Sequence, residues 1–342
     1  MINYADTITM FYNCPFDIRS FFTTHWIWDS NHKKQHFHHF YANTSFCFFR
    51  YFPDLFQQKR LYVTFSLPKL CHVSKDNTFN VTNYSTSMLM NRLHQELSMV
   101  MDTVVFPTPS LSDWQPSRLD LFRMREICST DRKEYHFAYS QLFYRGIQTK
   151  TYANTNYLAS SNGRHPSLLL RTYNKTIEQQ NKASMAFGNL PAVIEEFHEE
   201  SMKEELTSSP SSSPNSPNDL FRYEFSLRRA AIKRYCDKYK VPLNMQTVME
   251  ENFQKMLLND LTKSRRLDCT IYSKKEFRSI IKTVLKSQKS IDLAMKLAES
   301  IRNKKPSPLT ASQQQRITRE LQKQGISIVT TNFVTIKGLT FL

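Results

Sequence analysis

Glycine is scarce in this chain, with five in 342 residues. Neither a GxGxxG nor a GxxxxGKS/T segment occurs, so the glycine-rich phosphate cradles of nucleotide-binding folds are excluded. No apolar run approaches the roughly 18 residues of a membrane span. The opening "MINYADTITMFYN" lacks a basic stretch followed by an apolar one, so it does not read as a signal peptide. The six cysteines, at 14, 47, 71, 128, 236 and 269, are scattered with no CxxC pair. That spacing suits reduced thiols better than a disulfide framework or a zinc ribbon. What is abundant is aromatic: 25 Phe and 16 Tyr within a 40% hydrophobic composition, enough for a substantial core.

The charge is uneven. The net charge is +16, and residues 221–342 hold 25 Lys/Arg against 10 Asp/Glu, whereas residues 1–220 hold 21 against 20. A field confined to the last third predicts a polyanionic partner, nucleic acid before a membrane surface.

Strand patterns fall at "DTITMFYN", 45–52, 60–70, 114–124, near 149–158 and 167–173, and again at 220–232. An amphipathic helix is expected over 85–104 and an acidic one over 190–206. The Ser/Pro tract 207–219 has no means of packing a core and is expected to be disordered. The basic third reads as helices near 242–262, 275–287, 289–303 and 310–324, the last capped by Thr310 or Ser312, with a terminal hairpin. The fold expected is α+β: an antiparallel sheet with helices on one face in residues 1–240, then a basic, mostly helical DNA-binding module in 241–342.

Three strand patterns carry charge where a buried strand would not. "SRLDLF" puts Arg118 and Asp120 on one face, "LLLRTYNK" puts Arg171, Tyr173 and Lys175 on one face, and "FRYEFSLRR" does the same for Arg222, Glu224 and Arg228. Singly, each is an ordinary edge-strand ion pair or packing tyrosine. As neighbours they would bring Asp120, Glu224 and Tyr173 together. Two carboxylates suit a hard ion such as Mg²⁺ or Mn²⁺. A tyrosine beside them is able to attack phosphorus. Arg171 and Lys175 would lower its pKa and grip the phosphate.

The blocks "PSRLDLF", "TNYLASSNGRHPSLLLRTYNKTIEQ" and "LFRYEFSLRR", preceded by "DTITMFYN" and "FSLPKL", resemble the plasmid and phage rolling-circle replication initiators. These are the Rep_trans group and the related phage gene II/X-like (CRI) proteins. The likeness spans roughly residues 5 to 232. It implies a sequence-specific, metal-dependent DNA nicking and joining enzyme acting at a replication origin, in the cytoplasm of a bacterial host and alongside its helicase and polymerase. Tyr173 would be the nucleophile that becomes a 5′-phosphotyrosine, with Arg171 and Lys175 beside it. Asp120 and Glu224 would be the metal ligands, and Arg118, Arg222 and Arg228 would contact DNA. Met124 and Ser226 stand where some relatives carry further acids, and Ala159 where the second block usually has Gly.

Two other patterns compete. His36 and His38 in "HKKQHFHHF" match a His-hydrophobic-His metal motif but read better as a solvated, His-rich turn. Tyr235 and Tyr239 stand one helical turn apart, as in two-tyrosine nickases, with helix packing as the plainer account. From another class, the chain reads as a non-catalytic DNA-binding regulator with a helix-turn-helix or winged module.

Overall fold

The computed structural model describes residues 4–29, 38–72, 81–82, 84–142, 147–152, 155–160, 167–187 and 218–339. The acidic helix expected over 190–206, nearly all of the Ser/Pro tract, and His36 lie outside them.

The strands are β1 (Ala5–Cys14), β2 (Ile27–Asp29), β3 (His39–Asn43), β4 (Cys47–Leu55), β5 (Gln58–Ser66), β6 (Gln115–Cys128), β7 (Ile147–Thr151), β8 (Thr155–Ser160), β9 (Leu168–Asn174) and β10 (Asn218–Arg228). The helices are α1 (Leu67–His72), α2 (Thr86–Val100), α3 (Arg132–Ser140), α4 (Lys175–Phe187), α5 (Arg229–Tyr239), α6 (Met245–Val248), α7 (Glu251–Ser264), α8 (Lys274–Val284), α9 (Gln288–Arg302) and α10 (Ala311–Lys323). The fold is α+β. All ten strands join one sheet in the order β2-β3-β4-β5-β1-β6-β10-β9-β8-β7, every neighbouring pair antiparallel.

Alternation decides the faces. In β4 and β5, Cys47, Phe49, Tyr51, Leu61, Val63 and Phe65 are buried, while Phe48, Arg50, Tyr62 and Thr64 between them are only half-buried. The apolar face carries α2 through Leu89, Leu93 and Leu97, α3 through Tyr139 stacked on Phe221, and α5 through Ile232. Local capping starts the helices where expected. Ser85 accepts from Met88 N (3.2 Å), and Thr310 with Gln313 forms a capping box, as Ser273 does with Glu276. Glu178 of α4 acts electrostatically on Tyr173 and Arg222 of the polar face.

Three expectations are corrected. The strand near 149–158 is a hairpin, β7 and β8, closed by Tyr152 N donating to Thr155 O (2.8 Å). The strand of 220–232 ends at Arg228, where α5 begins. The terminal segment forms no hairpin among the described residues. It brackets residues 270–273 instead, through the bridges Thr270↔Ile326, Ile271↔Ile336 and Ser273↔Thr331.

The cores do not divide where the charge does. Met245, Val248, Phe253, Leu257 and Leu261 belong to the core of the sheet, and Gln254 accepts a hydrogen bond from the backbone of Tyr4 (2.8 Å). A second, smaller core gathers Phe277, Ile281, Leu297, Ile317 and Leu321 from α8, α9 and α10. The boundary drawn at residue 240 therefore cuts through one packed unit.

Candidate active site on the polar face of the sheet

The three charged blocks occupy adjacent strands. β10 lies between β6 and β9, with Ser226 opposite both Asp120 and Leu169, and Glu224 opposite both Phe122 and Arg171. Directly opposed residues in antiparallel strands share a face. Asp120, Glu224, Arg171 and Tyr173 therefore point the same way, as their alternation predicts.

The side chains interlock. The Tyr173 hydroxyl donates to Glu224 Oε2 (3.1 Å). Arg171 Nη2 donates to Glu224 Oε1 and reaches Asp120 Oδ2 at 3.5 Å. Arg118 grips Asp120 with two parallel bonds, Nε to Oδ1 (3.0 Å) and Nη2 to Oδ2 (2.7 Å). Arg222 is fully buried. It lies over the Phe122 ring, 3.9 Å from the centroid, and spans β6 to reach Asp6 on β1, with Nε 3.2 Å from Glu224 Oε2. Three carboxylates (Asp6, Asp120, Glu224) thus face three guanidiniums (Arg118, Arg171, Arg222). Paired burial of this kind is what keeps charges tolerable inside a protein.

Several expected roles change. Arg222 was expected on DNA, yet its burial makes it an internal strut. Asp6 and Ser66 hold it there, with Ser66 donating to Asp6 Oδ1 (3.0 Å). Arg228 is exposed opposite Arg118. Lys175 is not set by the strand alternation, because β9 ends at Asn174. The Asn174 side chain accepts from Ile177 N (3.0 Å) and starts α4, and Lys175 pairs with Glu178 (2.7 Å). The phenol of Tyr173 is also not lowered. Burial raises it above its ordinary value and outweighs the opposing pull of Arg222 and Arg171. Arg222 itself is raised: burial disfavours its charge, but Asp6, Tyr173 and Glu178 together more than restore it.

Asp6 escaped the sequence reading, although an acid inside the apolar alternation of "ADTITMFYN" was a visible signal. A register shift in β1 between Ala5 and Ile8 falls at this residue, and bulges re-aim side chains in this way. The competing tyrosines are accounted for by packing. Tyr239 donates to Asp260 Oδ2 (2.5 Å) and its ring lies edge-on to Phe253, with Tyr235 tilted beside it. His38 is exposed and stacks on Trp28.

For the divalent ion that the resemblance implies, the donor set fits in kind. Asp120 and Glu224 offer hard oxygens that touch one and the same nitrogen, Arg171 Nη2, which puts them within the span of a single cation. That nitrogen holds the shared position, so Arg171 is the group that would yield to an ion. Among the described residues, no group of three or more His, Cys, Asp or Glu side chains is gathered as a metal cage.

The chain matches no protein-family model, no curated protein and no solved structure. No helix among the described residues is long and apolar enough to cross a membrane.

Proposed function

We propose that the protein is a DNA nicking and joining enzyme of the rolling-circle initiator kind, with Tyr173 as nucleophile. The observation that carries this reading is the hydrogen bond from the Tyr173 hydroxyl to Glu224 on a face shared with Asp120 and Arg171. The phenolic oxygen attacks phosphorus as its proton passes to Glu224 Oε2. The bond from phosphorus to the 3′ oxygen breaks, and that oxygen takes up a proton as a free 3′ hydroxyl. The phosphate remains on Tyr173 as a 5′-phosphotyrosine, and attack by a 3′ hydroxyl reverses the step and rejoins the strand. Arg171, 13% exposed at the side chain, faces the charge that develops on the phosphate. Asp120 and Glu224 would hold Mg²⁺ or Mn²⁺, which when bound supplies Lewis-acid polarisation of a phosphodiester oxygen.

One observation favours a non-catalytic DNA-binding regulator instead: all four carboxylate oxygens of Asp120 and Glu224 already face an arginine or tyrosine donor. A single assay separates the two readings. Supercoiled plasmid carrying the DNA that flanks the protein's own coding sequence is incubated with protein and Mn²⁺, then treated with detergent. A nickase relaxes the plasmid and leaves a covalent protein–DNA adduct that Tyr173→Phe abolishes while binding persists. A regulator only retards the plasmid. Adduct formed by Tyr173→Phe but not by Tyr235→Phe or Tyr239→Phe would move the nucleophile to α5.

A further inference from the structure

The polar face does not end at the candidate site. From Arg118 it continues across β1, β5 and β4. Thr9 stands opposite both Arg118 and Thr64, and the two threonine hydroxyls meet at 3.0 Å. The next row runs Gln115, Phe11, Tyr62, Arg50 across β6, β1, β5 and β4. Here the face becomes a field of rings roofed by arginines. The Phe11 and Tyr62 rings are 5.2 Å apart. Arg60 and Arg229 each lie 4.9 Å from the Phe11 centroid, and Arg50 lies 5.8 Å from Tyr62 and 5.5 Å from Phe48.

This part of the chain carries almost no net charge in its sequence, yet Arg50 of β4 and Arg60 of β5 fall on this face, while Lys59 alternates to the other. The buried alternates beneath, such as Phe49 and Val63, are the core, so Arg50 and Arg60 have only the open side to occupy. An arginine over a ring is held in place by it, and Arg60 is also fixed by donating through Nε (3.1 Å) and Nη2 to Gln58 Oε1. Arg229 is fixed further by donating to Pro116 O (3.0 Å). Cations over the buried ring of Phe11, beside the half-buried rings of Tyr62 and Phe48, match a single-stranded nucleic acid, whose phosphates repeat and whose bases stack. It does not match a duplex, because a flat sheet face carries no element shaped to enter a groove.

We infer that this face, centred on Arg50, Arg60, Arg229 and Tyr62, is a single-stranded DNA track that delivers the strand to Tyr173. The inference rests on the proposed DNA chemistry for the substrate class, but its test does not.

The test is a salt titration of binding by fluorescence anisotropy, on a labelled 30-nucleotide oligothymidylate in EDTA, with Tyr173→Phe as the parent. Each of Arg50→Gln, Arg60→Gln and Arg229→Gln should flatten the slope of log affinity against log salt by about 0.7, the contribution of one phosphate on a single strand. Arg50→Lys keeps the charge and should retain the slope with weaker binding. Tyr62→Leu should weaken binding at every salt concentration without changing the slope. Annealing the complement to the oligonucleotide should abolish the dependence on Arg50 and Arg60. Variants that melt like the parent yet keep its slope and affinity would overturn the track. If that happens while the unmodified protein still forms its adduct, the nicking reading stands and only the track fails. Flattened slopes without any adduct would leave the track and remove the nickase.

Discussion

Glu224 and Arg171 stand directly opposite one another in the β10–β9 pair, and the guanidinium nitrogen that bonds Glu224 also reaches Asp120, two residue pairs away along β6. One cation therefore serves two buried carboxylates. Arg171→Met should leave them facing each other and destabilise the fold by about 3–5 kcal/mol, the usual cost of breaking a buried pair. Millimolar Mn²⁺ should restore part of that loss and raise the urea midpoint of the variant more than that of the parent, by mass action on the folded state. An unchanged midpoint would argue that the two carboxylates do not share an ion.

Arg222 makes a separable prediction. Arg222→Met strands the charge of Asp6 in the interior, takes one of two cations from Glu224, and should cost about 3–5 kcal/mol. Adding Asp6→Asn removes the stranded charge, so the double variant should be more stable than the sum of the single losses by about 1–3 kcal/mol. Strict additivity in urea melts would disconnect β1 from the network.

The raised phenol of Tyr173 sets a pH dependence in two senses. Because the attacking phenol hands its proton to Glu224, the reactive form is the protonated phenol, which stays fully populated below its raised pKa, so the nicking rate should show no tenfold-per-unit rise from pH 7 to about 10. For stability, the folded chain holds this proton more tightly than the unfolded chain, whose tyrosines titrate near 10. The contribution is complete below about pH 10 and is lost as pH rises towards the folded value. Tyr51, Tyr84 and Tyr239 are raised mainly by burial as well, so Tyr173→Phe should remove only one share of the alkaline loss. A rate that climbs tenfold per pH unit across this range would mean that Tyr173 attacks as a pre-formed phenolate and that Glu224 is not its base.

Recognition of duplex DNA is best probed by charge and not by truncation. Cutting after residue 240 would strip Phe253, Leu257 and Leu261 from the main core. On α8, Lys274, Lys275, Arg278 and Lys282 are exposed while Phe277 and Ile281 are buried, so glutamine at those four positions leaves the packing intact. Affinity for duplex should lose about 0.9 in salt slope per cation that contacts a phosphate. Oligothymidylate binding should be unaffected. An unchanged duplex slope would make this helix a solubility or partner-binding element.

Much of the site was legible because it lies on strands. A period of two places Asp120, Glu224 and Tyr173 without ambiguity once β6, β10 and β9 are neighbours, and charged residues at buried positions announce themselves. What stayed hidden depended on breaks in that period. Lys175 shares parity with Tyr173, but the Asn174 side chain ends the strand first. Asp6 is aimed by a register shift that leaves no mark on the alternation. The burial of Arg222 follows from Asp6, so missing one residue misplaced the other on the surface. Helix α3 went unread because "RKEYHFAYS" mixes aromatics that suit a strand with a spacing that suits a turn; its Tyr135 and Tyr139 settle against Phe221.

The position of β10 in the sheet also fixes a timetable. Among the described strands it is the last in chain order, yet it goes into the middle, between β6 and β9. Until residue 228 has left the ribosome, Asp120 and Tyr173 sit on strands with no common neighbour, and the two sides of the sheet present open edges to each other. At about 5–20 residues per second, the stretch from residue 174 to residue 228 takes roughly 3–10 seconds to make. A nascent chain in that window holds the sequence of β1 to β9 but lacks the strand that carries Glu224. Pairing β10 closes a long sequence separation to β6, and it is the step that brings Glu224 beside Asp120 and Tyr173.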